Sequence, residues 1–358
     1  MYFKSLSIKQ WQQFESVEIK FHDRLTVLTG ANGSGKTTLL NLLSRHSGWN
    51  THSYSTPKEE KSTGIIKFFS RLFNGEDKSR AAIFGNIQYS NSKTANLAVQ
   101  NSNSAQYLVQ IQQQQPVKCF YIPSHRSVFR YQPVANIPTQ KKKRQNAFKE
   151  ISSLNIQRYT GQNTQSSSFV IKSTLIGWAI NGYGVKNNNN KVVMPADQEL
   201  ISFYEGFQRT LRKVLPESLG FKELEIRNME VVFICNDGAD EFILETASGG
   251  ISALIDIAWH IYMFSTKENS DFTVIIDEVE NHLHPIMQRT ILQKLLAAFP
   301  SARFIVTTHS PLVVGSVKDS SVYALSYNVN NKIMSQYLDL LGEARTASEI
   351  LDEVLGVS

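Results

Sequence analysis

The sequence lacks a long apolar run, a leader-like start and a cysteine framework. None of its 358 residues belongs to a run of about 18 apolar residues, the length that a membrane-spanning helix needs. The amino terminus, MYFKSLSIKQWQQF, has no basic region followed by a continuous apolar stretch. The two cysteines, Cys119 and Cys235, each lie in an apolar, strand-like run, which favours buried free thiols over a disulfide or metal pair. We therefore expect a cytoplasmic protein with no membrane partner.

The sequence also has no internal repeat, no long heptad array and no block of like charge. Its net charge of +6 favours polyanionic partners, although only 19% of the residues are charged. The densest basic run is KKKR at 141–144, with Arg126, Arg130 and Lys149 nearby. This run could face phosphate backbones or simply be a solvated basic loop, so DNA stays open as a partner.

Hydrophobic periodicity predicts an α/β protein, and 41% hydrophobic residues suffice for a sizeable core. Strands are expected in the first 30 residues, in an antiparallel meander over 81–112 and in pairs around an NDG turn within 221–245. Helices are expected near 169–181, 196–214, 251–264 and 286–298 and at the carboxyl end, with a hairpin near 322–337.

The same pass along the sequence predicts how the chain is divided. Residues 1–135 and 217–358 are expected to form one core, which carries an exposed, partly mobile insertion at about 47–80. Residues 136–216 are expected to form a helical lobe inserted into that core.

A glycine-rich loop follows the third predicted strand. Residues 30–37 spell GANGSGKT, which fits G-x-x-x-x-G-K-[ST] between a strand and a helix. In such a loop the backbone N–H groups cradle phosphates, the lysine reaches the β- and γ-phosphates, and the hydroxyl holds Mg²⁺. ATP and Mg²⁺ are therefore the expected ligands. The predicted phosphate-binding residues are Gly30, Asn32, Gly33, Ser34, Gly35, Lys36, Thr37 and Thr38.

An apolar strand, TVIIDE, ends in Asp277 and Glu278. This pattern suits a carboxylate in the Mg²⁺ shell, shared with Thr37, and a second carboxylate beside the attacking water. A buried strand with a solvated acidic end is the alternative, and the phosphate loop upstream makes the catalytic interpretation the stronger one. We predict Glu278 as the base and Lys36 as a further catalytic group.

Two further motifs lie on either side of this strand. ASGGI at 247–251 precedes a helix, and its hydroxyl, flexible glycines and helix N–H groups suit an anion, although a plain helix cap is the alternative. The run FIVTTHS delivers His309 after a strand, where a satisfied polar residue is the alternative.

Residues 1–310 resemble the ABC ATPase superfamily. The resemblance rests on the order of four motifs: the phosphate loop, SGG, the strand that ends in Asp277 and Glu278, and the strand that precedes His309. The resemblance implies an ABC ATPase head with a mixed central sheet of the P-loop NTPase kind, an antiparallel β-subdomain and a helical lobe. It implies that Ser248, Gly249 and Gly250 form a signature, in which Ser248 and Gly250 contact the γ-phosphate held by an opposite subunit, and that His309 is the switch. A homodimer or higher homo-oligomer would then be required.

The sequence departs from that superfamily at two places. Ala247 and Ile251 replace the leucine and glutamine of the usual LSGGQ. The loop Ser124, His125 and Arg126 stands where a glutamine after a core strand is expected.

Other stretches narrow the resemblance. FESVEIKFHDRLTVLTGANGSGKTTLLNLL looks like SMC and RecF proteins, and IDEVENHLHPIMQR looks like OLD ATPases and their relatives in anti-phage systems. The alternative for the second stretch is a purely structural one, a polar helix amino terminus with Pro285 in its first turn. About 49 residues follow His309, too few for another ordinary catalytic domain. The layout thus resembles the stand-alone ATPase subunits of the Septu and PARIS defence systems, with a separate nuclease-like effector encoded nearby.

The leading hypothesis is an ATP-gated switch that controls this effector. The alternative is a DNA-repair or chromosome-maintenance ATPase that binds DNA directly, and a transporter nucleotide-binding subunit comes third.

Overall fold

A computed structural model describes residues 1–59, 66–67, 81–100, 104–162 and 165–339. They form two compact units. The first takes in the described residues up to Ser124, those from Asp271 to Glu280 and those from Ser301 onwards, and the second takes in His125–Ser270 and Asn281–Pro300. The domain boundaries expected from the sequence, at 135/136 and 216/217, stay a prediction. The expected terminal helix and most of the expected insertion lie outside the described residues.

The elements are numbered in chain order. The strands are β1 (Phe3–Trp11), β2 (Phe14–Lys20), β3 (Leu25–Gly30), β4 (Ser53–Tyr54), β5 (Lys58–Glu59), β6 (Ile66–Lys67), β7 (Ala82–Tyr89), β8 (Thr94–Val99), β9 (Gln106–Tyr107), β10 (Gln110–Gln112), β11 (Cys119–Ile122), β12 (Val185–Lys186), β13 (Val192–Met194), β14 (Phe221–Arg227), β15 (Glu230–Cys235), β16 (Asp240–Ile243), β17 (Phe272–Ile276), β18 (Ala302–Thr307), β19 (Ser321–Tyr327) and β20 (Ile333–Leu338). The α-helices are α1 (Lys36–Ser44), α2 (Arg144–Tyr159), α3 (Ser167–Tyr183), α4 (Gln198–Val214), α5 (Gly249–Phe264), α6 (Pro285–Gln288), α7 (Ile291–Ala298) and α8 (Pro311–Val314).

The first unit is built on one eleven-stranded mixed sheet, in the order β10-β8-β7-β1-β2-β20-β19-β3-β18-β17-β11. From β19 to β11 the neighbouring strands are parallel. Strands β3 and β17 are buried along their whole length, and this is why their sequences, LTVLTG and FTVII, contain no charged residue. The carboxyl ends of these parallel strands meet at one edge of the sheet, and this edge carries the site described below. The predicted α/β class with a mixed central sheet is confirmed.

The antiparallel strands form the other end of the same sheet. The meander predicted over 81–112 is present as β7, β8 and β10. Its third segment, however, is not one strand, because β9 pairs with β4 while β10 pairs with β8. The strand is interrupted between β9 and β10, and each of these short strands pairs with a different neighbour.

The second unit contains α2 to α7, the three-stranded sheet β14-β15-β16 and the hairpin β12-β13. The predicted helices near 169–181 and 196–214 are α3 and α4. The stretch predicted as one helix over 286–298 is two, α6 and α7, and the Thr290 hydroxyl between them donates to the carbonyls of Ile286 (3.4 Å) and Met287 (3.3 Å).

Two expectations about side chains and helices can be compared with the structure. Both cysteines are buried and free, as predicted. Across the described ranges, no helix combines the length and the apolar content that crossing a bilayer demands.

Candidate functional site

The glycine-rich loop leaves β3 at Gly30 and enters α1 at Lys36. Gly35 has a φ of 84°, in the left-handed region, and a Cβ built on it would lie 2.4 Å from the Phe14 ring. Only glycine fits there, because a side chain would be strained and would also clash. No side chain caps α1, and its first turn has no acidic residue. The helix amino terminus, with its partial positive charge, is therefore free to face an anion.

Lys36 is folded back into this loop. Its Nζ donates to the carbonyl oxygens of Gly30 (2.9 Å) and Ala31 (3.0 Å) and to Ser34 Oγ (3.4 Å). Burial lowers the pKa of Lys36 to about 8, and the carboxylates of Asp277, Glu278 and Glu280 oppose that shift. The ammonium is thus held in a desolvated place where phosphate oxygens would be better partners than carbonyl groups.

The remaining predicted loop residues are more open. Asn32, Gly33 and Thr37 are exposed, and Thr38 is half-buried in the first turn of α1. The Tyr327 hydroxyl donates to the carbonyl of Gly33 at 3.1 Å, which ties the loop to β19.

Asp277 follows β17 and is buried among hydroxyl groups. Its Oδ2 accepts hydrogen bonds from Thr37 Oγ1 (2.9 Å) and the Tyr121 hydroxyl (3.4 Å), and its Oδ1 accepts one from Thr307 Oγ1 (2.6 Å). The two predicted metal ligands, Thr37 and Asp277, therefore lie side by side although 240 positions separate them. A hydroxyl and one carboxylate suit Mg²⁺, which takes few protein ligands and completes its shell with phosphate oxygens and water.

The donor set decides how such an ion would be held. Within the ranges given above, no three His, Cys, Asp or Glu side chains converge as a metal cluster. Thr37 and Asp277 would therefore hold Mg²⁺ together with a phosphate-bearing ligand and not as a permanent protein cage.

Glu278 and His309 face each other at the same edge of the sheet. His309 Nε2 lies 3.8 Å from Glu278 Oε1, and both side chains are partly exposed. Glu278 has a φ of 46°, and its N–H donates to Thr307 Oγ1 at 2.7 Å. A non-glycine residue in the left-handed region costs on the order of 1–3 kcal/mol, and residues held in this way cluster at active sites. Here the Thr307 hydroxyl bonds both Asp277 and the Glu278 amide.

Three residues in this network were not predicted as site residues. Thr307 and Glu280 stood inside runs that were singled out, FIVTTHS and ENHLHP, so their position at a strand end or loop could have marked them. Glu280 Oε1 accepts the His309 N–H at 2.5 Å, and so helps to hold the histidine loop. Tyr121 lies inside an apolar strand, where no local pattern reveals it.

The SGG motif belongs to the second unit, whereas the phosphate loop, Asp277, Glu278 and His309 belong to the first. Ser248 is the N-cap residue of α5, yet its side chain accepts no capping hydrogen bond, and it is exposed. A Cβ on Gly249 would meet nothing within 4 Å, whereas one on Gly250 would lie 3.1 Å from Met287 Sδ. The side chain of Ser248 thus does not serve as a helix cap, and packing within the chain does not require a glycine at 249.

The basic run at 141–144 is engaged within its own unit. Lys141 pairs with Asp197 (2.6 Å), Lys142 with Glu150 (2.6 Å) and Lys143 with Glu199 (3.8 Å). Arg144 donates to the carbonyl oxygens of Tyr262 and Ser265. The three carboxylates offset the lysine charges that phosphate backbones would need, whereas the carbonyl groups leave the charge of Arg144 in place.

Arg126, in the loop that follows β11, is buried. Its Nη1 donates to the Asn281 carbonyl at 2.8 Å, so this guanidinium holds the loop before α6.

The family model described as "AAA domain, putative AbiEii toxin, Type IV TA system" matches residues 25–315. The chain belongs to this family. The matched range runs from β3 to the helix after His309 and so contains every predicted site residue. The family and the P-loop fold make this chain an ATPase-type, nucleotide-binding protein.

The chain is also similar to proteins of named defence systems. It is 20% identical over 374 residues to the Septu protein PtuA of Bacillus thuringiensis, covering 99% of this chain and 84% of that one. It is 30% identical over 125 residues to the "Retron Vc95 probable ATPase" of Vibrio cholerae serotype O1 biovar El Tor, covering 31% of this chain and 24% of that one. The match therefore spans only about a quarter of the retron protein. These similarities confirm the predicted likeness to ATPases of bacterial defence systems.

Among solved structures, the fold is similar to the "SMC head domain from Thermotoga maritima", with a TM-score of 0.48 and 17% identity over 95% of this chain and 100% of that one.

Proposed function

We propose that the protein binds and hydrolyses ATP, dimerises around the nucleotide, and thereby controls a separate effector in anti-phage defence. The observation that carries the proposal is the contact of Thr37 with Asp277, because it joins the phosphate loop to the acidic strand end. Beside it lie a buried lysine and a carboxylate–histidine pair.

Binding would begin at the phosphate loop. The ammonium of Lys36 would exchange loop carbonyls for phosphate oxygens, and the first turn of α1 would add N–H donors. Thr37 and Asp277 would hold Mg²⁺, which supplies neutralisation of charge on the phosphates when bound.

Hydrolysis would use Glu278 as the base. A carboxylate can accept a proton from the attacking water, and its partly exposed side chain leaves room for that water. His309 Nε2 lies 3.8 Å from Glu278 Oε1, and this imidazole would keep Glu278 correctly positioned relative to the transferred phosphate. Thr307 would keep Asp277 and Glu278 in fixed positions relative to each other.

Closure would require a second copy of the chain. Ser248 and Gly249 present an exposed helix start whose hydroxyl caps nothing and whose glycine is not required by internal packing. Both features are accounted for if this surface contacts the γ-phosphate on a partner subunit. Sedimentation with and without ATP tests this step, since nucleotide should convert monomers to dimers.

The link to an effector rests on the relatives. Their names place them in Septu and retron systems, and we extend that setting to this chain. Affinity purification from cells that express the native neighbouring genes should recover a nuclease-like protein. Complete absence of a co-purifying partner, in wild type and in a hydrolysis-blocked variant, would contradict this part of the proposal.

Direct DNA binding is the rival function. The net charge of +6 favours it, but the run 141–144 is paired with acids or backbone carbonyls of its own unit. A salt-sensitive DNA affinity that falls when Lys141 and Lys142 are neutralised would restore this rival.

A further inference from the structure

A cavity of about 730 Å³ lies within the second unit, and none of its lining residues belongs to the proposed ATP site. It opens where α2 begins, beside α4 and the end of α5. Its volume falls in the range of roughly 300–1,000 Å³ that is usual for sites of small organic ligands. The cavity therefore has the capacity for a molecule of nucleotide size.

The lining is strongly basic. Five cationic side chains line the cavity, against the two acidic side chains Glu199 and Glu268. The cations are Lys143, Arg144, Arg209, Lys213 and Lys267. An excess of positive charge in a concave surface focuses the field and attracts anions.

Part of this charge has no internal partner. Lys143 lies 3.8 Å from Glu199, and Arg209 lies 3.6 Å from Glu205. In the portion of the chain that the structure describes, no carboxylate lies within ion-pair distance of Lys213 or Lys267. These two ammonium groups are the ones that an incoming anion would neutralise.

One wall combines a fixed cation with aromatic surface. The Arg144 guanidinium stacks 3.9 Å from the centre of the Tyr262 ring and donates to the carbonyls of Tyr262 and Ser265. The half-buried ring of Phe203 also lines the cavity. A guanidinium plane and an aromatic ring are both surfaces on which a flat heterocycle stacks.

The start of α2 adds to the positive potential of this wall. Lys143 is the N-cap residue, no side chain caps the helix, and its first turn contains no acidic residue. The partial charge of the helix start therefore adds to that of the side chains around it.

From this combination we propose that the cavity binds a small organic anion that carries phosphate groups, of nucleotide size, as a second site independent of the phosphate loop. A duplex is a poorer fit, because the cavity is concave and the neighbouring Lys141 and Lys142 are already paired.

Calorimetric titration of the full chain with inorganic tripolyphosphate tests the charge. The Lys36→Ala background weakens the phosphate loop, and the part of the remaining binding that depends on the cavity lysines reports the cavity. We expect this background to bind one tripolyphosphate, and Lys213→Glu with Lys267→Glu to weaken that binding at least about tenfold through charge reversal. The matched control is Lys149→Glu, which reverses an exposed lysine on α2 that does not line the cavity.

Loss of binding in the Lys36→Ala background itself, or equal affinity in the double-lysine variant and the Lys149 control, would overturn the proposal. Both lysines are exposed, and thermal melting should confirm that the variants stay folded.

A second set of titrations distinguishes the source of the phosphate. Nucleoside triphosphates should bind the Lys36→Ala background at least as tightly as tripolyphosphate does. Phe203→Ala should remove any gain from the base and leave tripolyphosphate binding unchanged. Binding of a single-stranded oligonucleotide without binding of either small phosphate would contradict the proposal.

Discussion

The phosphate loop and the SGG motif are two surfaces of the same chain that are predicted to bind anions, but their surroundings are opposite. At the loop, Lys36 is buried and makes three hydrogen bonds, and Asp277 accepts three. At the motif, Ser248 is exposed and caps nothing, and Gly249 has open space around it. The polar groups of the phosphate loop form hydrogen bonds within the fold. The side chain of the SGG serine makes no capping hydrogen bond to the helix that it begins.

This difference fits the step at which the proposed partner subunit would act. Groups that a fold satisfies internally are explained by that fold, whereas exposed groups that it leaves open are solvated by water and stay accessible to a ligand or another subunit. Under the proposed function, the loop holds nucleotide in the monomer, whereas the SGG motif works only after a second copy arrives. Variants of the two regions should therefore fail at different steps.

The largest effect is expected at Glu278. Glu278→Gln keeps the size of the side chain but removes the base, so turnover should fall at least about 100-fold while ATP still binds. ATP should then accumulate in a dimer, which sedimentation with ATP and Mg²⁺ would detect. Turnover at the wild-type rate would remove the role assigned to Glu278. Gln substitution at Glu18, an exposed acid of the first unit that belongs to no proposed site, is the control.

The next effect is expected at Ser248. Ser248→Arg should lower turnover about 100-fold, the magnitude seen when a preorganised donor to a transition-state anion is lost, and should abolish the ATP-dependent dimer. Nucleotide affinity of the monomer and the melting temperature should stay at the wild-type values, because Ser248 makes no capping bond. A variant that dimerises and turns over normally would show that the motif is only a helix start.

A smaller effect on affinity is expected at Lys36. Lys36→Ala removes charge-assisted contacts to phosphate, which are worth about 1.5–3 kcal/mol each, so ATP affinity should fall about 10- to 100-fold. Lys20→Ala, an exposed lysine of the same unit, should have no effect. Fluorescent nucleotide titration of the monomer measures both, and equal affinities would contradict the site.

The smallest effect is expected in the pH dependence of ATP affinity, which tests the burial of Lys36 in the phosphate loop. Burial lowers the pKa of Lys36 to about 8, so above that pH the free protein loses the charge that phosphate needs. ATP binding must then take up a proton, and affinity should fall by up to about tenfold per pH unit above pH 8. Below pH 8 the affinity should be flat. Lys36→Ala should lack the change near pH 8, and a wild-type curve that is flat from pH 7 to 10 would contradict the assigned burial.

Local sequence patterns predicted most of the site residues in the first unit. The strand–loop–helix order around Gly30 to Thr37 follows from short-range sequence, and an apolar strand ending in Asp277 and Glu278 is visible directly. The contact of Thr37 with Asp277 depends on the strand order β3-β18-β17, which is a long-range property of the sheet. Tyr121 was missed for the same reason, because an apolar strand gives no sign of the polar group that its neighbour presents.

The second unit was less predictable from the sequence than the first. The basic run 141–144 reads as a charged loop, but its acidic partners Asp197, Glu150 and Glu199 lie on α2 or just before and within α4. Helix α2 itself was not singled out, because its apolar residues are few and the packing of the lobe outweighs its weak pattern.

The most direct test of the account mixes two inactive variants. At an ATP concentration that saturates only the intact phosphate loop, Lys36→Ala should not load nucleotide and Ser248→Arg should not dimerise with itself, so neither variant alone should turn over ATP. In a mixed dimer, one site combines the intact loop of the Ser248 variant with the intact signature of the Lys36 variant. Mixing should therefore raise turnover clearly above the summed turnover of the two separate variants, because only a mixed dimer has one complete site. A mixture that stays as inactive as its two components would contradict a site shared between subunits.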